Sequence, residues 1–286
     1  MSATRRAAGV AAQEPAPSAV RAGRPDAELP ELLEGRYRVR FARTAADLEA
    51  CQRLRFEVFN VELAEGLPGS WEDGRDRDEF DPACAHLMVE DGEGGGLLGT
   101  YRLQTAEAAL AGRGFYAARE FDLAGLPPEV IAGSAELGRA CVARGHRTGH
   151  VLFALWRGLA AFAAWKRRRY LFGCASLTGT DPALGAEAYG ALRRRGLVSC
   201  RWGVEPRPAF ACAAPAPEAG ENPAEVAFPR LFATYLRYGA LALGPPALDR
   251  EFGTVDFFLL LDLETLEPRL RGLFFEGLPL PPAGRS

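Results

Sequence analysis

A chain of 286 residues is long enough for one large domain or two small ones, and with 48% hydrophobic and 25% charged residues it can bury a sizeable core. Its formal net charge of -3 excludes nucleic-acid binding by bulk electrostatics. The six cysteines (Cys51, Cys84, Cys141, Cys174, Cys200, Cys212) show no CxxC pair and no regular spacing, which points away from a zinc site or disulfide framework and toward free thiols in a reducing cytoplasm.

Residues 1–33 are rich in Ala, Pro, Gly and Arg without period and predict a disordered leader; no apolar run follows Arg5 and Arg6, so it is not a secretory signal. Tyr37-Arg38-Val39-Arg40-Phe41 alternates as a strand does. Thr44 is placed to cap a helix over 45–60, with Leu48, Cys51, Leu54, Val58 and Phe59 on one face. Residues 63–81 are rich in Gly, Trp and acid and too irregular for an element. Strands over 85–90 and 97–103 flank a glycine-rich hairpin turn at 91–96. A strand over 135–142 (Ala135-Glu136-Leu137-Gly138-Arg139-Ala140-Cys141-Val142) follows, then a loop and a helix ending at Trp165. The apolar part of that helix, 151–165, is too short to cross a membrane and carries Arg157, so it reads as a buried amphipathic helix.

A strand over 170–174 comes next, and Asp181 as N-cap with Pro182 at the first helical position starts another helix. Residues 206–223, rich in Pro and Ala, read as a flexible insertion. A helix around 228–238, a strong strand over 255–262 and a disordered tail over 276–286 complete the chain. This order predicts one α/β domain over 34–275 with a mixed sheet.

All basic residues but Lys166 are arginine. Lys166-Arg167-Arg168-Arg169 and Arg193-Arg194-Arg195 are compact runs that suit phosphate, an acidic carrier protein or anionic lipid at a peripheral membrane contact; equally, such runs are solvated helix ends. His146 and His150 stand four apart without an acidic or cysteine partner, and no metal is expected. The strand-loop-helix succession is a different matter. Val142 at the strand end, with Arg144, Arg147 and Gly149 in the loop, forms a place where backbone N–H groups and a helix N-terminus hold phosphate, as in the pantetheine or pyrophosphate arm of an acyl carrier. Many such turns contain glycine for geometry alone.

Arg55 with Val58 and Phe59, then Trp71, then Asp78 and Asp81 three apart, then Arg102, then Glu136 and Arg139 three apart occur in that order. This succession resembles the acyl-homoserine-lactone synthases and, more closely, the ornithine-lipid N-acyltransferases, also labelled hemolysin-like acyltransferases. The second group is favoured by His86 in the phrase Asp81-Pro82-Ala83-Cys84-Ala85-His86, by the length of the chain, and by its late phrases Tyr235-Leu236-Arg237-Tyr238-Gly239-Ala240, Gly244-Pro245-Pro246, Asp249 and Phe252-Gly253-Thr254-Val255-Asp256. The resemblance covers roughly residues 36–270. It implies a GNAT-type fold, a mixed and mostly antiparallel sheet flanked by helices, in a cytoplasmic enzyme with no permanently bound cofactor. It further implies transfer of a 3-hydroxylated fatty acyl group from acyl carrier protein to the α-amine of ornithine, giving lyso-ornithine lipid. An autoinducer synthase and a non-catalytic carrier-binding fold are the rival readings. One departure concerns the loop. The usual GNAT pattern is Arg/Gln-x-x-Gly-x-Gly/Ala, but here Arg144 is followed three places later by Arg147, and only Arg147-Thr148-Gly149 keeps it.

Amine acylation needs a neutral amine, a polarised thioester carbonyl and a thiol leaving group. Glu136 is the candidate general base, because a carboxylate on an apolar strand has its pKa raised toward the working range; its alternative is an ion pair with Arg102 or Arg139. Those arginines suit an amino-acid carboxylate or the acidic pair, since a guanidinium makes two parallel hydrogen bonds. Asp78 and Asp81 either grip the ammonium groups of ornithine or form an acidic loop held by Arg55. His86 either assists proton transfer or is a satisfied core residue. Backbone at the strand's end would supply the oxyanion donor. Trp71, Phe115, Trp156 and Phe172 are candidate walls of an acyl tunnel or plain core.

Overall fold

The computed structural model describes residues 29–212 and 226–279. Two short strands, β1 (Leu32–Glu34) and β2 (Tyr37–Phe41), lead to helix α1 (Ala45–Phe56), which the hairpin β3 (Ala85–Asp91) and β4 (Leu97–Thr105) follows. Next come α2 (Ala106–Ala111), β5 (Phe121–Asp122), α3 (Pro128–Ala132), β6 (Ser134–Val142), α4 (Gly149–Trp165), β7 (Tyr170–Thr178) and α5 (Pro182–Arg194). The last elements are β8 (Glu205–Pro206), α6 (Arg230–Arg237), β9 (Leu241–Ala242), β10 (Ala247–Asp249), β11 (Thr254–Asp262) and α7 (Pro268–Phe275).

One sheet runs β1-β2-β3-β4-β6-β7-β11-β10, with β9 also on β11. Every pairing in it is antiparallel except that of β6 with β7. The expected mixed, mostly antiparallel sheet flanked by helices is the observed one. Helix α4 packs on it with a largely apolar face that includes Leu155, Leu159 and Phe162, and Gly158 allows a close approach: a Cβ there would stand 2.5 Å from Leu87 and 2.9 Å from Val39, so those side chains would have to shift. Arg157, beside it, spends its charge on Glu34 at 2.7 Å and on the Phe274 and Glu276 carbonyls at 2.8 Å. No helix among the described residues is long and apolar enough to cross a membrane.

Local signals in the sequence explain most boundaries. Thr44 and Asp47 close a capping box at α1, and Asp181 accepts the N–H of Ala183 at the start of α5. Four expectations need correction. The helix expected to reach residue 60 is α-helical only to Phe56 and continues as a π-helix over Glu57–Glu62, which joins Val58 and Phe59 to a cluster with Cys141 and Phe252. The leader was expected to reach residue 33, but Leu29 and Leu32 are buried and β1 pairs with β2; residues 1–28 lie outside the described residues. Residues 206–212, expected in the flexible insertion, and 276–279, expected in the disordered tail, are ordered parts of the fold. Arg207 donates its backbone N–H to Glu120 and Trp165 donates its indole N–H to Pro279, while 213–225 and 280–286 lie outside the described residues.

The feature that positions the site is a divergence. β6 and β7 pair only at Ser134↔Tyr170, Ala135↔Leu171 and Glu136↔Phe172, although they run on to Val142 and Thr178. Gly173 lets the strands close at this last rung, since a Cβ there would stand 2.1 Å from the Leu137 carbonyl oxygen. Beyond it they part.

Candidate active site

A cleft of about 260 Å³ fills the gap between the diverging strands, close to the lower end of the roughly 300–1,000 Å³ of small-molecule sites. Leu137 to Ala140 of β6 and Cys174 to Ser176 of β7 form its two sides. Phe59 of the π-helix, Phe232 of α6 and Phe252 close it with apolar surface. On the other side of β6 the ladder is irregular: Arg102 pairs with Gly138 and Thr100 with Cys141, so Tyr101 stands opposite both Arg139 and Ala140. This bulge holds Arg139 at φ 47°, a conformation that side chains other than glycine adopt rarely and that is found often at functional sites. It turns the Arg139 guanidinium to lie between the rings of Tyr116, at 4.8 Å, and Phe252, at 4.6 Å.

Glu136 is buried in the cleft wall. Its carboxylate accepts the backbone N–H of Tyr116 at 2.8 Å and of Ala117 at 2.6 Å. Burial pushes its pKa up to about 7, against the downward pull of those two donors. Neither Arg102 nor Arg139 forms an ion pair with it among the described residues, so the alternative reading of a structural ion pair is not what the fold makes.

The arginines are engaged elsewhere. Arg55, 1% exposed, grips Asp81 with both terminal nitrogens, at 3.1 and 2.7 Å, and reaches Asp76 at 2.9 Å. Arg102 bonds Asp78 at 2.6 Å and Asp81 at 3.0 Å, while Arg139 bonds Asp76 and Asp78, each at 3.2 Å. Arg55, Arg102 and Arg139 thus cancel Asp76, Asp78 and Asp81 charge for charge. Burial alone would raise the Asp78 and Asp81 pKa values, but the facing guanidinium groups hold both below the usual carboxylate range. Of these residues only Arg102 and Arg139 line the cleft.

His86 sits behind this network, its Nε2 3.0 Å from the Asp81 carbonyl oxygen, and does not line the cleft. Burial lowers its pKa to about 4. The loop with Arg144, Arg147 and Gly149 lies exposed at the start of α4, and it does not line the cleft either. Arg147 pairs with Glu62 and donates to the Val142 carbonyl at 3.2 Å, and Arg230 of α6 ties the loop down through the Arg147 carbonyl at 2.6 Å. Thr148 caps α4 by accepting the Val151 N–H. In the first basic run, Arg168 pairs with Glu107 and Arg169 with Asp262 and Glu264.

The tunnel candidates separate. Trp156 and Phe172 line a smaller apolar cleft with Leu137 and Leu259, and Phe115 packs edge-on against Phe172 at 4.9 Å. Trp71 is 62% exposed and packs against Phe56, which removes it from any buried wall.

Sequence reasoning passed over Asp76, Gln104, Tyr116, Glu120, Asp249 and Asp256 as functional side chains. Asp76 lay in the acidic stretch without distinction from its neighbours. Asp256 carried the same signal as Glu136, a charge inside an apolar strand, and Asp249 appeared only as part of a phrase. Glu120 gave none.

Comparison with known proteins agrees with this geometry. Residues 54–157 match the Acetyltransferase (GNAT) domain family. The chain is 34% identical to an L-ornithine N(alpha)-acyltransferase of Agrobacterium fabrum over 248 residues, 82% of this chain and 84% of that protein. It is 34% identical to the enzyme of the same name from Brucella abortus over 82% of this chain and 87% of that one. The acyl-homoserine-lactone synthase LasI superposes with a TM-score of 0.44 at 12% identity, covering 85% of this chain and 97% of its own, a likeness too loose to bear on function. With a diverging β6–β7 pair, a GNAT domain and relatives at this identity over most of their length, the chain is an acyltransferase and belongs to the L-ornithine N(alpha)-acyltransferase family.

Proposed function

We propose that this acyltransferase moves a fatty acyl group, 3-hydroxylated and carried on acyl carrier protein, to the α-amine of ornithine, giving lyso-ornithine lipid. The observation that carries the reading is Glu136, a buried carboxylate with its pKa raised to about 7 in the wall of the cleft between β6 and β7. The relatives' name supports ornithine as the acceptor.

An α-ammonium entering the cleft gives its proton to Glu136, directly or through one water, and becomes a nucleophile. The two N–H groups bound to Glu136 leave it acceptor capacity, because an ionised carboxylate offers about four lone-pair sites. Attack on the thioester carbonyl builds an oxyanion. Among the described residues the β6–β7 pairing stops at Glu136, and backbone N–H groups of β6 beyond it, along the cleft, are the candidate donors that stabilise that charge. Collapse breaks the C–S bond, and the departing thiolate takes up the proton that the attacking nitrogen loses as the amide forms. Arg139, fixed between two rings and two aspartates, orients the acceptor's carboxylate, and Arg55, Asp78, Asp81 and His86 hold Arg102 and Arg139 in place. Arg144, Arg147 and the N-terminus of α4 receive the phosphopantetheine arm and the acidic carrier.

Mass spectrometry of lipids from a host expressing the chain tests the reading. Lyso-ornithine lipid is expected; acyl-homoserine lactone in its place assigns the chain to autoinducer synthesis.

A further inference from the structure

The cleft holds a second group of acids that the proposed chemistry leaves unused. Glu120 closes the turn after Tyr116–Arg119, Asp249 ends β10 and Asp256 points in from β11; all three are buried, line the cleft and bring carboxylate oxygens within 4.8 Å of one another. They contrast with Asp76, Asp78 and Asp81. Those are sealed by arginines, whereas no arginine among the described residues forms an ion pair with Glu120, Asp249 or Asp256. Part of their capacity is already committed: Asp249 Oδ1 accepts the N–H groups of Glu251 and Phe252, each at 2.9 Å, Asp256 Oδ2 accepts the Thr254 hydroxyl at 3.0 Å, and Glu120 Oε2 accepts the Cys174 thiol at 3.8 Å. Asp256 also interacts with the Ser176 hydroxyl and shares a proton with Glu120. Asp256 Oδ1 has no hydrogen-bond partner, although the residue is only 3% exposed. Three carboxyl groups buried together with one oxygen unmatched suit a cation, because buried carboxylates are costly unless a positive charge or a proton offsets them.

The geometry of the cluster narrows the cation. An ammonium offers three donors on a compact head, which suits oxygens converging from three elements. A divalent metal wants about six oxygen ligands in a regular shell, and here two of the oxygens are turned to backbone and hydroxyl donors. We propose that Glu120, Asp249 and Asp256 form the seat of the side-chain ammonium of a diamino-acid acceptor, so that the cleft selects α-amino acids carrying a second amine. The inference rests on the acyl transfer proposed above. It divides the two amines of the acceptor: one loses its proton at Glu136 and reacts, and the other keeps its charge. Without that cation, burial and the neighbouring carboxylates hold Glu120 well above the ordinary carboxylate range, and burial raises Asp256, so an arriving ammonium displaces a proton held in the cluster.

Acceptor selectivity tests the seat. With an acyl-carrier thioester as donor, the wild-type protein is assayed on ornithine and on 2-aminopentanoate, its isostere without the second amine. The expected kcat/KM ratio is at least ~100 in favour of ornithine, since a site built to bind a polar group rejects analogues that lack it. Asp256→Asn and Glu120→Gln should each lose at least ~10-fold more activity on ornithine than on 2-aminopentanoate, the order expected for one charge-assisted contact. Equal wild-type activity on both acceptors overturns the seat while leaving acyl transfer standing, and this outcome does not depend on any variant folding. Parallel losses on both acceptors in folded variants overturn it as well. So does inactivation by a chelator with recovery on adding Mg²⁺ or Mn²⁺, which would make the cluster a metal site. Wild type that acylates neither amino acid refutes the acyl-transfer reading, and the seat with it.

Discussion

Arginine does two kinds of work in this protein, and the difference lies in what surrounds each guanidinium. Arg55 is sealed against Asp76 and Asp81 and so ties the acidic loop to α1. Arg55→Met should therefore cost about 3–5 kcal/mol of unfolding free energy, because it leaves buried carboxylates without their partner; a denaturant midpoint no lower than wild type would contradict this. Glu136 behaves in the opposite way, being buried without a direct ion-pair partner among the described residues. A base with its pKa near 7 is protonated below that value, so kcat/KM on a fixed acceptor should rise as pH increases through about 7 and level off above it. The groups that bear on it are Arg102, Asp78 and the N–H groups of Tyr116 and Ala117. In Glu136→Gln the rise should vanish and the rate fall about 10²–10⁴-fold, the contribution of a general base. An unchanged pH profile in the variant would move the base elsewhere.

At the scale of the element, the site is a consequence of two strands that begin as partners and separate. Gly173 permits the last close rung, and the bulge at Arg139 turns the next stretch of β6 toward the cleft. Gly173→Ala should force β7 off the Leu137 carbonyl and cost about 1–3 kcal/mol, as overpacking does, with a matching loss of activity; a variant as stable and active as wild type would show that the contact relaxes freely. Strands with strong alternation, such as Tyr37–Phe41, and long apolar runs, such as Thr254–Asp262, were legible because their burial pattern is written locally. The bulge was not. An arginine at φ 47° has no cue in neighbouring residues, since it is imposed by the mismatch with β4. Strands as short as Leu241–Ala242 and Ala247–Asp249 form only because β11 is there to receive them. The π-helix after Phe56 likewise follows from tertiary contacts of Val58 and Phe59, not from propensity.

For the whole molecule, the motif order Arg55, Asp78, Asp81, Arg102, Glu136, Arg139 names six residues that the fold brings into one neighbourhood. What spacing could not say was which of them touch the cleft. Arg102, Glu136 and Arg139 do, while Asp78, Asp81 and Arg55 form its support. Nor could it join Glu120, Asp249 and Asp256, which come from separated segments and meet only in the folded chain. The result is a cleft with a carboxylate suited to take a proton, arginines suited to a carboxylate, and an acidic group suited to a second amine. The most direct test is to incubate the purified protein with 3-hydroxyacyl-acyl carrier protein and ornithine and to locate the acyl group by tandem mass spectrometry. The predicted product carries it on the α-nitrogen and keeps a free side-chain amine; acylation of the side-chain nitrogen, or no product from ornithine while S-adenosylmethionine is acylated, would contradict the account.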